Sequence, residues 1–146
     1  MPNWCFNKVT VTGDEKKMDV FKNKAFVNDE FKFQNLIPMP KELLDTTSGY
    51  LGENTPKQKE LEKQQARNIK KYGYKDWYDW AYSKWGTKWD VDAYVEWDGD
   101  DVIEITFDSA WGPPEGVYKY IVNEFPDLSV SWFYDEPGME VAGYLN

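Results

Sequence analysis

The sequence predicts an α+β sandwich, with helices laid on one face of a mostly antiparallel sheet, and three features carry that prediction. Apolar and polar residues alternate with a period of two near the start, between 91 and 107 and after 128. Runs with helical spacing separate these stretches, and glycine or proline clusters mark the joints. With 146 residues, 26 of them aromatic, the chain has the length of one domain.

The first strand is read over Trp4 to Thr12, where Val9 and Val11 share one face and Lys8, Thr10 and Thr12 the other. Gly13 and Asp14 then supply a turn and a helix cap, followed by Met18, Phe21 and Ala25 at helical spacing, which predicts a helix over 15–26. Phe31, Phe33 and the run to Ile37 read as a second strand, ended by Pro38 and Pro40 because neither can donate to a ladder.

Residues 41–88 interrupt this pattern and form a helical insertion within the single domain, 1–146. Pro56 suits the first turn of a polar helix running to Tyr72, with Leu61, Ala66, Ile69 and Tyr72 as its thin apolar anchor. Asp76 caps a second, ring-rich helix, Trp77 to Trp85.

Two strands follow around Asp98-Gly-Asp-Asp101. Matching their apolar faces pairs Val95 with Ile103, Ala93 with Ile105 and Val91 with Phe107. That register leaves an acidic outer face, with Asp90 opposite Asp108, Asp92 opposite Thr106 and Tyr94 opposite Glu104. Val117, Ile121 and Phe125 predict a helix after Pro113-Pro114, and Leu128 to Tyr134 and Met139 to Leu145 a final pair of strands. This order suits the ferredoxin-like sandwich, a mostly antiparallel sheet with a helical insertion.

Composition removes several chemistries. With no histidine, Ser-His and Cys-His nucleophile pairs and imidazole zinc sites are excluded, and the single cysteine, Cys5, has no internal disulfide partner. No run is apolar enough to span a membrane, and Met1-Pro-Asn-Trp4 lacks the basic and apolar parts of a signal peptide, so a protein of the host cytoplasm with no membrane partner is expected.

Charge is divided along the chain. Residues 1–88 carry a balance of +4, with their basic block at 56–88, whereas residues 89–146 hold 14 acids and one lysine, Lys119, for −13. Two readings stand side by side: the Lys-rich insertion lies across the acidic sheet and neutralises it, or the acids face solvent and await a basic partner. Nucleic acid as a direct ligand is disfavoured, since phosphate binding needs a positive footprint and base readout leans on arginine, of which there is one, Arg67.

Several pieces in a fixed order resemble the YubB-type ferredoxin-like family of phage and plasmid proteins. They are Met1-Pro-Asn-Trp-Cys5 with Asn7, Leu36-Ile-Pro-Met-Pro40, Tyr72-Gly73 leading to Trp77-Tyr78 and Trp80, Trp85-Gly-Thr-Lys-Trp-Asp90, Ala110-Trp-Gly-Pro-Pro114, Phe125-Pro126 and Tyr134-Asp-Glu136. The resemblance spans nearly the whole chain. It implies a ferredoxin-like domain carried by mobile elements and supplies no catalytic residue. By analogy it implies a non-enzymatic accessory protein that binds a host or competitor protein, such as a counter-defence, anti-CRISPR-like inhibitor acting by occlusion or nucleic-acid mimicry.

Two constellations are candidates for that contact. Asp90, Asp92, Tyr94, Glu96, Asp98, Asp100, Asp101, Glu104 and Asp108 form the acidic hairpin, whose carboxylates recur on one face every ~6.6 Å and so could imitate a phosphate track. Solubility alone also explains such a face. Asp98, Asp100, Asp101 and Glu104 offer oxygen ligands, but the twelve-residue calcium loop is absent, and neither metal nor cofactor is expected. Trp85, Lys88, Trp89 and Trp111 are the second group. They either line an aromatic site for a small ligand or nucleotide or plug the junction between insertion and sheet.

Overall fold

The computed structural model describes residues 1–146. Its elements are β1 (Trp4–Thr12), α1 (Glu15–Ala25), β2 (Phe26–Val27), β3 (Glu30–Phe31), α2 (Phe33–Leu36), α3 (Lys41–Leu44), α4 (Pro56–Tyr72) and α5 (Trp77–Lys84). They continue as β4 (Tyr94–Asp98), β5 (Val102–Ala110), α6 (Glu115–Glu124), β6 (Ser129–Glu136), a 3-10 turn (Pro137–Met139) and β7 (Val141–Tyr144). Five strands make one sheet in the order β4-β5-β1-β6-β7, and every neighbouring pair is antiparallel. The protein is thus the expected α+β sandwich. Its succession β1-α1-β4-β5-α6-β6, with β1 between β5 and β6, is compatible with the ferredoxin-like arrangement.

Alternation along β1 decides what lies on each side. Cys5, Asn7, Val9 and Val11 point into the core, while Trp4, Phe6 and Lys8 point out. Met18, Phe21 and Ala25 of α1 and Val117 and Ile121 of α6 cover the inner face. Phe107 is the aromatic hub there, stacked on Phe31 at 5.9 Å and edge-on to Phe33 at 5.6 Å and Trp132 at 5.9 Å.

The insertion joins this core at both ends, beginning with Leu43 of α3, which is fully buried in it. Trp80, Ala81 and Trp85 of the α5 region are buried in it, with Trp85 edge-on to Phe33 at 5.8 Å. The end of α5 meets the start of α6 so closely that only glycine fits: a Cβ on Gly116 would lie 2.0 Å from the Lys84 carbonyl oxygen, and the Gly116 N–H donates to the Trp85 carbonyl at 3.0 Å. Helix α4 is held differently from the expectation. Leu61 is buried and Tyr72 packs against the core as expected, but Ala66 and Ile69 are exposed, and a further anchor is polar: the buried Asn68 amide donates to Thr46 Oγ1 and the Lys75 carbonyl, both at 2.8 Å.

Two expectations are corrected. Residues 33–36 are helical rather than a strand, because the Asp90 carboxylate accepts from the backbone N–H of Phe33 at 2.7 Å and of Gln34 at 3.0 Å and so caps a helical turn. The strand content of that segment shrinks to the two-residue pairing of β2 with β3.

The second correction concerns the β4–β5 register. Val95 lies opposite Ile105 and Tyr94 opposite Thr106, two residues from the expected pairing. A slip of two conserves the faces, so matching apolar residues could not tell the registers apart. The register then shifts between Val95 and Trp97, placing Trp97 opposite Glu104 and Asp98 opposite Ile103. Trp97 therefore shares the outer face with Glu104 instead of following Val95. Asp90 and Asp92 lie ahead of β4 and face no residue of β5, so the expected Asp90–Asp108 and Asp92–Thr106 pairs do not form.

Candidate functional site: the open face of the sheet

The outward residues of all five strands make one continuous surface. Tyr94 and Trp97 of β4, Glu104, Thr106 and Asp108 of β5, Trp4, Phe6, Lys8 and Thr10 of β1, Ser131 and Phe133 of β6 and Tyr144 of β7 share it through the observed registers. The buried helix residues pack against the opposite face, so these rings stay in solvent: Trp4 is 45% exposed, Phe6 40%, Tyr94 71%, Trp97 63% and Tyr144 65%. Large rings grouped this way are unusual on a chain with nothing to dock, since exposed apolar surface is costly when contiguous.

Phe6 forms a ridge between two hollows. On one side a concavity of about 420 Å³ is walled by Trp4, Phe6, Tyr94 and Thr106 and edged by Asp90, Asp92 and Asp108. On the other, about 300 Å³ lies between Phe6, Lys8, Ser131, Phe133 and Tyr144, with the Phe133 and Tyr144 rings 5.4 Å apart. Trp4 is itself backed by Trp89 at 6.1 Å, and the Lys88 ammonium sits 4.1 Å over the Trp89 ring.

Lysines do neutralise part of the acidity, but not those expected. Lys32 pairs with Asp92 at 2.8 Å, Lys22 with Asp98 at 2.7 Å and Lys8 with Glu104 at 3.7 Å. The insertion's cations pair within or beside the insertion, Lys71 with Glu42, Arg67 with Glu60 and Lys75 with Asp79, and do not reach the sheet acids through any ion pair. The hydrogen bond and charge of Lys32 hold the Asp92 carboxyl below the usual carboxylate range, and Asp92 in turn raises Lys32. Glu96 accepts from the Thr106 hydroxyl at 2.9 Å, and Glu104 from the Thr10 hydroxyl at 3.2 Å. Asp108 has neither an ion pair nor a side-chain hydrogen bond.

The nine acidic-hairpin residues thus divide by role. Asp92, Tyr94 and Asp108 converge on the larger hollow, and Glu96 and Glu104 lie further along the open face. Asp98, Asp100 and Asp101 sit at the hairpin tip, roughly 20 Å along β5 from Asp108 at ~3.3 Å per residue. Asp90 edges the hollow with both oxygens committed to the backbone N–H groups of Phe33, Gln34 and Val91. No three acidic or sulfur side chains converge closely enough to hold a metal ion.

The aromatic group also separates. Trp85 is 4% exposed and its indole N–H donates to the Ile37 carbonyl at 2.9 Å, so it plugs the junction and is closed to any ligand. Trp111 follows β5 with a positive φ of 69° and remains exposed. Lys88 and Trp89 approach the open face through Trp4.

Trp4, Phe6, Trp97, Phe133 and Tyr144 escaped the sequence reading. For Trp4 and Phe6 the signal was present: their even numbering in β1 puts them beside Lys8 and Thr10. Missed as well was the lock that sets this orientation. Buried Asn7 accepts from the Trp132 indole N–H at 2.9 Å and donates to Ser109 Oγ at 2.9 Å and the Cys5 carbonyl at 3.0 Å, tying β1 to β6 and β5.

No family model matches the chain, and no curated protein matches it significantly in sequence. Among solved structures it is similar to the protein api92 from Yersinia pseudotuberculosis, labelled DUF1281, with a TM-score of 0.58 at 9% identity, covering 99% of this chain and 93% of the other. At that identity the likeness is one of fold.

Proposed function

We propose that the protein is a non-enzymatic binding module that docks a basic partner protein on the open face of its sheet and acts by occlusion. The observation that carries this is the juxtaposition, on one uncovered face, of exposed rings from three strands with carboxylates that the insertion leaves unpaired. Rings supply the anchors that dominate interface energies, and surrounding charge sets partner choice and association rate. The resemblance to the YubB-type family adds the setting of a mobile-element accessory protein, with a host or competitor complex that handles nucleic acid as the target class. A carboxylate face suits a surface evolved to hold phosphate.

Capture from bacterial host lysate tests this, comparing the wild-type chain with a Glu96→Lys, Glu104→Lys variant. The expected result is a basic protein retained by the wild type, lost by the variant and associating more slowly as salt rises. An unchanged set of captured proteins, or retention indifferent to salt, rejects the face.

A further inference from the structure

The larger hollow has a chemistry more specific than a generally acidic surface. Three exposed rings, Trp4, Phe6 and Tyr94, wall it, and three carboxylates, Asp90, Asp92 and Asp108, edge it, with no basic side chain among the lining residues. These carboxylates are not equivalent. Asp90 is used up by backbone N–H groups, and Asp92 gives one oxygen, Oδ1, to Lys32. Asp108 is exposed and free of any side-chain partner. The site therefore presents ring faces beside an unspent carboxylate, which is the complement of a cation with a flat, delocalised charge.

The same corner already holds one cation on a ring: Lys88 over Trp89, the indole that backs Trp4. No basic side chain lines the hollow, and the two nearest ammoniums are already engaged, Lys32 by Asp92 and the Val91 carbonyl and Lys88 by the Trp89 ring, so an anion is poorly served there. An ammonium is compact and strongly hydrated, and a hollow of about 420 Å³ open to solvent gives it little in exchange for its water. A guanidinium is planar, weakly hydrated, stacks on aromatic faces and takes a carboxylate with two parallel N–H donors.

We infer that this hollow is a socket for the arginine side chain of the partner protein, stacked against Trp4 and Tyr94 and paired with Asp108. The inference rests on the docking reading above and names the anchor of that interface. The occupant is not a second copy of the chain, whose one arginine, Arg67, is held by Gln64 and Glu60 on α4.

The test uses the full chain and N-acetyl-arginine amide as probe, followed by the indole N–H signals in NMR titration. Saturable shifts at Trp4 are expected, with the uncharged isostere N-acetyl-citrulline amide weaker by about tenfold or more, as the loss of a charge-assisted pair implies. Asp108→Asn and Tyr94→Ala should each weaken the arginine probe several-fold and leave the buried Trp85 and Trp132 signals in place. Equal binding of citrulline, indifference to both substitutions, or unsaturable shifts spread over the molecule overturns the socket. The Glu96→Lys, Glu104→Lys variant separates the two proposals. If it loses the captured partner while the arginine probe fails on the wild type, docking stands and the socket falls. If the probe binds but neither Asp108→Asn nor Tyr94→Ala reduces partner capture, the site serves a free guanidinium compound and the assignment to a partner's arginine is wrong.

Discussion

Asn7 is the side chain on which the orientation of the central strand turns, and its replacement gives the sharpest test of the fold. It is fully buried, as is Trp132, whose indole N–H it accepts at 2.9 Å. Its amide donates to Ser109 Oγ, whose hydroxyl in turn donates to the Gly112 carbonyl at 2.6 Å, so with the Trp132 bond one residue links β1, β5 and β6. Asn7→Ala removes these bonds and leaves the buried indole N–H without its partner, where an orphaned donor costs ~1–3 kcal/mol. With the small void added, about 2–4 kcal/mol of stability should be lost. Urea denaturation of the wild type, Asn7→Ala, Trp132→Phe and the double variant isolates the hydrogen bond. In the Trp132→Phe background there is no N–H to orphan, so Asn7→Ala should cost about 1–3 kcal/mol less than in the wild type. A coupling below ~0.5 kcal/mol would show that packing, and not this bond, fixes Asn7 inward and Phe6 outward.

Two further outcomes follow from buried or capping groups. Asp90→Ala should destabilise the chain by about 1–2 kcal/mol in urea denaturation, as expected for a lost helix cap, whereas Asp92→Ala, which removes only the exposed pair with Lys32, should stay within ~0.5 kcal/mol; equal effects would deny Asp90 its structural role. Burial pushes the Cys5 thiol up from 9.0 to about 11. Its folded value lies above its unfolded one, so the contribution is complete below pH 9 and is lost as pH rises towards 11. At ~1.4 kcal/mol per pH unit, that loss approaches about 3 kcal/mol. The stability of the wild type should therefore fall relative to Cys5→Ala across that window, and parallel curves would show that the thiol ionises freely.

Local signals located the longer strands and helices and missed the short ones, α2 and α3 among them. Period-two alternation marked β1, β5 and β6, helical spacing marked α1 and α6, and Asp76 and Pro56 marked the starts of α5 and α4, with Thr55 and Asp76 each accepting a backbone N–H as caps. Those signals involve residues within a few positions of one another, which is why sequence suffices for them. Phe33 to Leu36 failed for the opposite reason: its helical turn depends on a carboxylate at position 90, a contact 57 residues away.

The candidate site shows the same boundary. Sequence concentrated the acids at 89–146 and fixed which neighbours share a strand face, but alternation is unchanged by a two-residue slip, so the pairing of Val95 with Ile105 and the register shift that turns Trp97 outward lay outside its reach. Alternation did indicate which face the helices would cover, but not which outward rings would meet across strands. Tertiary packing made that choice when Trp85 entered the core and α1 and α6 closed over Val9 and Ile105, leaving Trp4, Phe6 and Tyr94 around an unpaired Asp108. Faces are a property of the strand, which the order of residues dictates; exposure is a property of what else packs nearby, which only the folded chain decides.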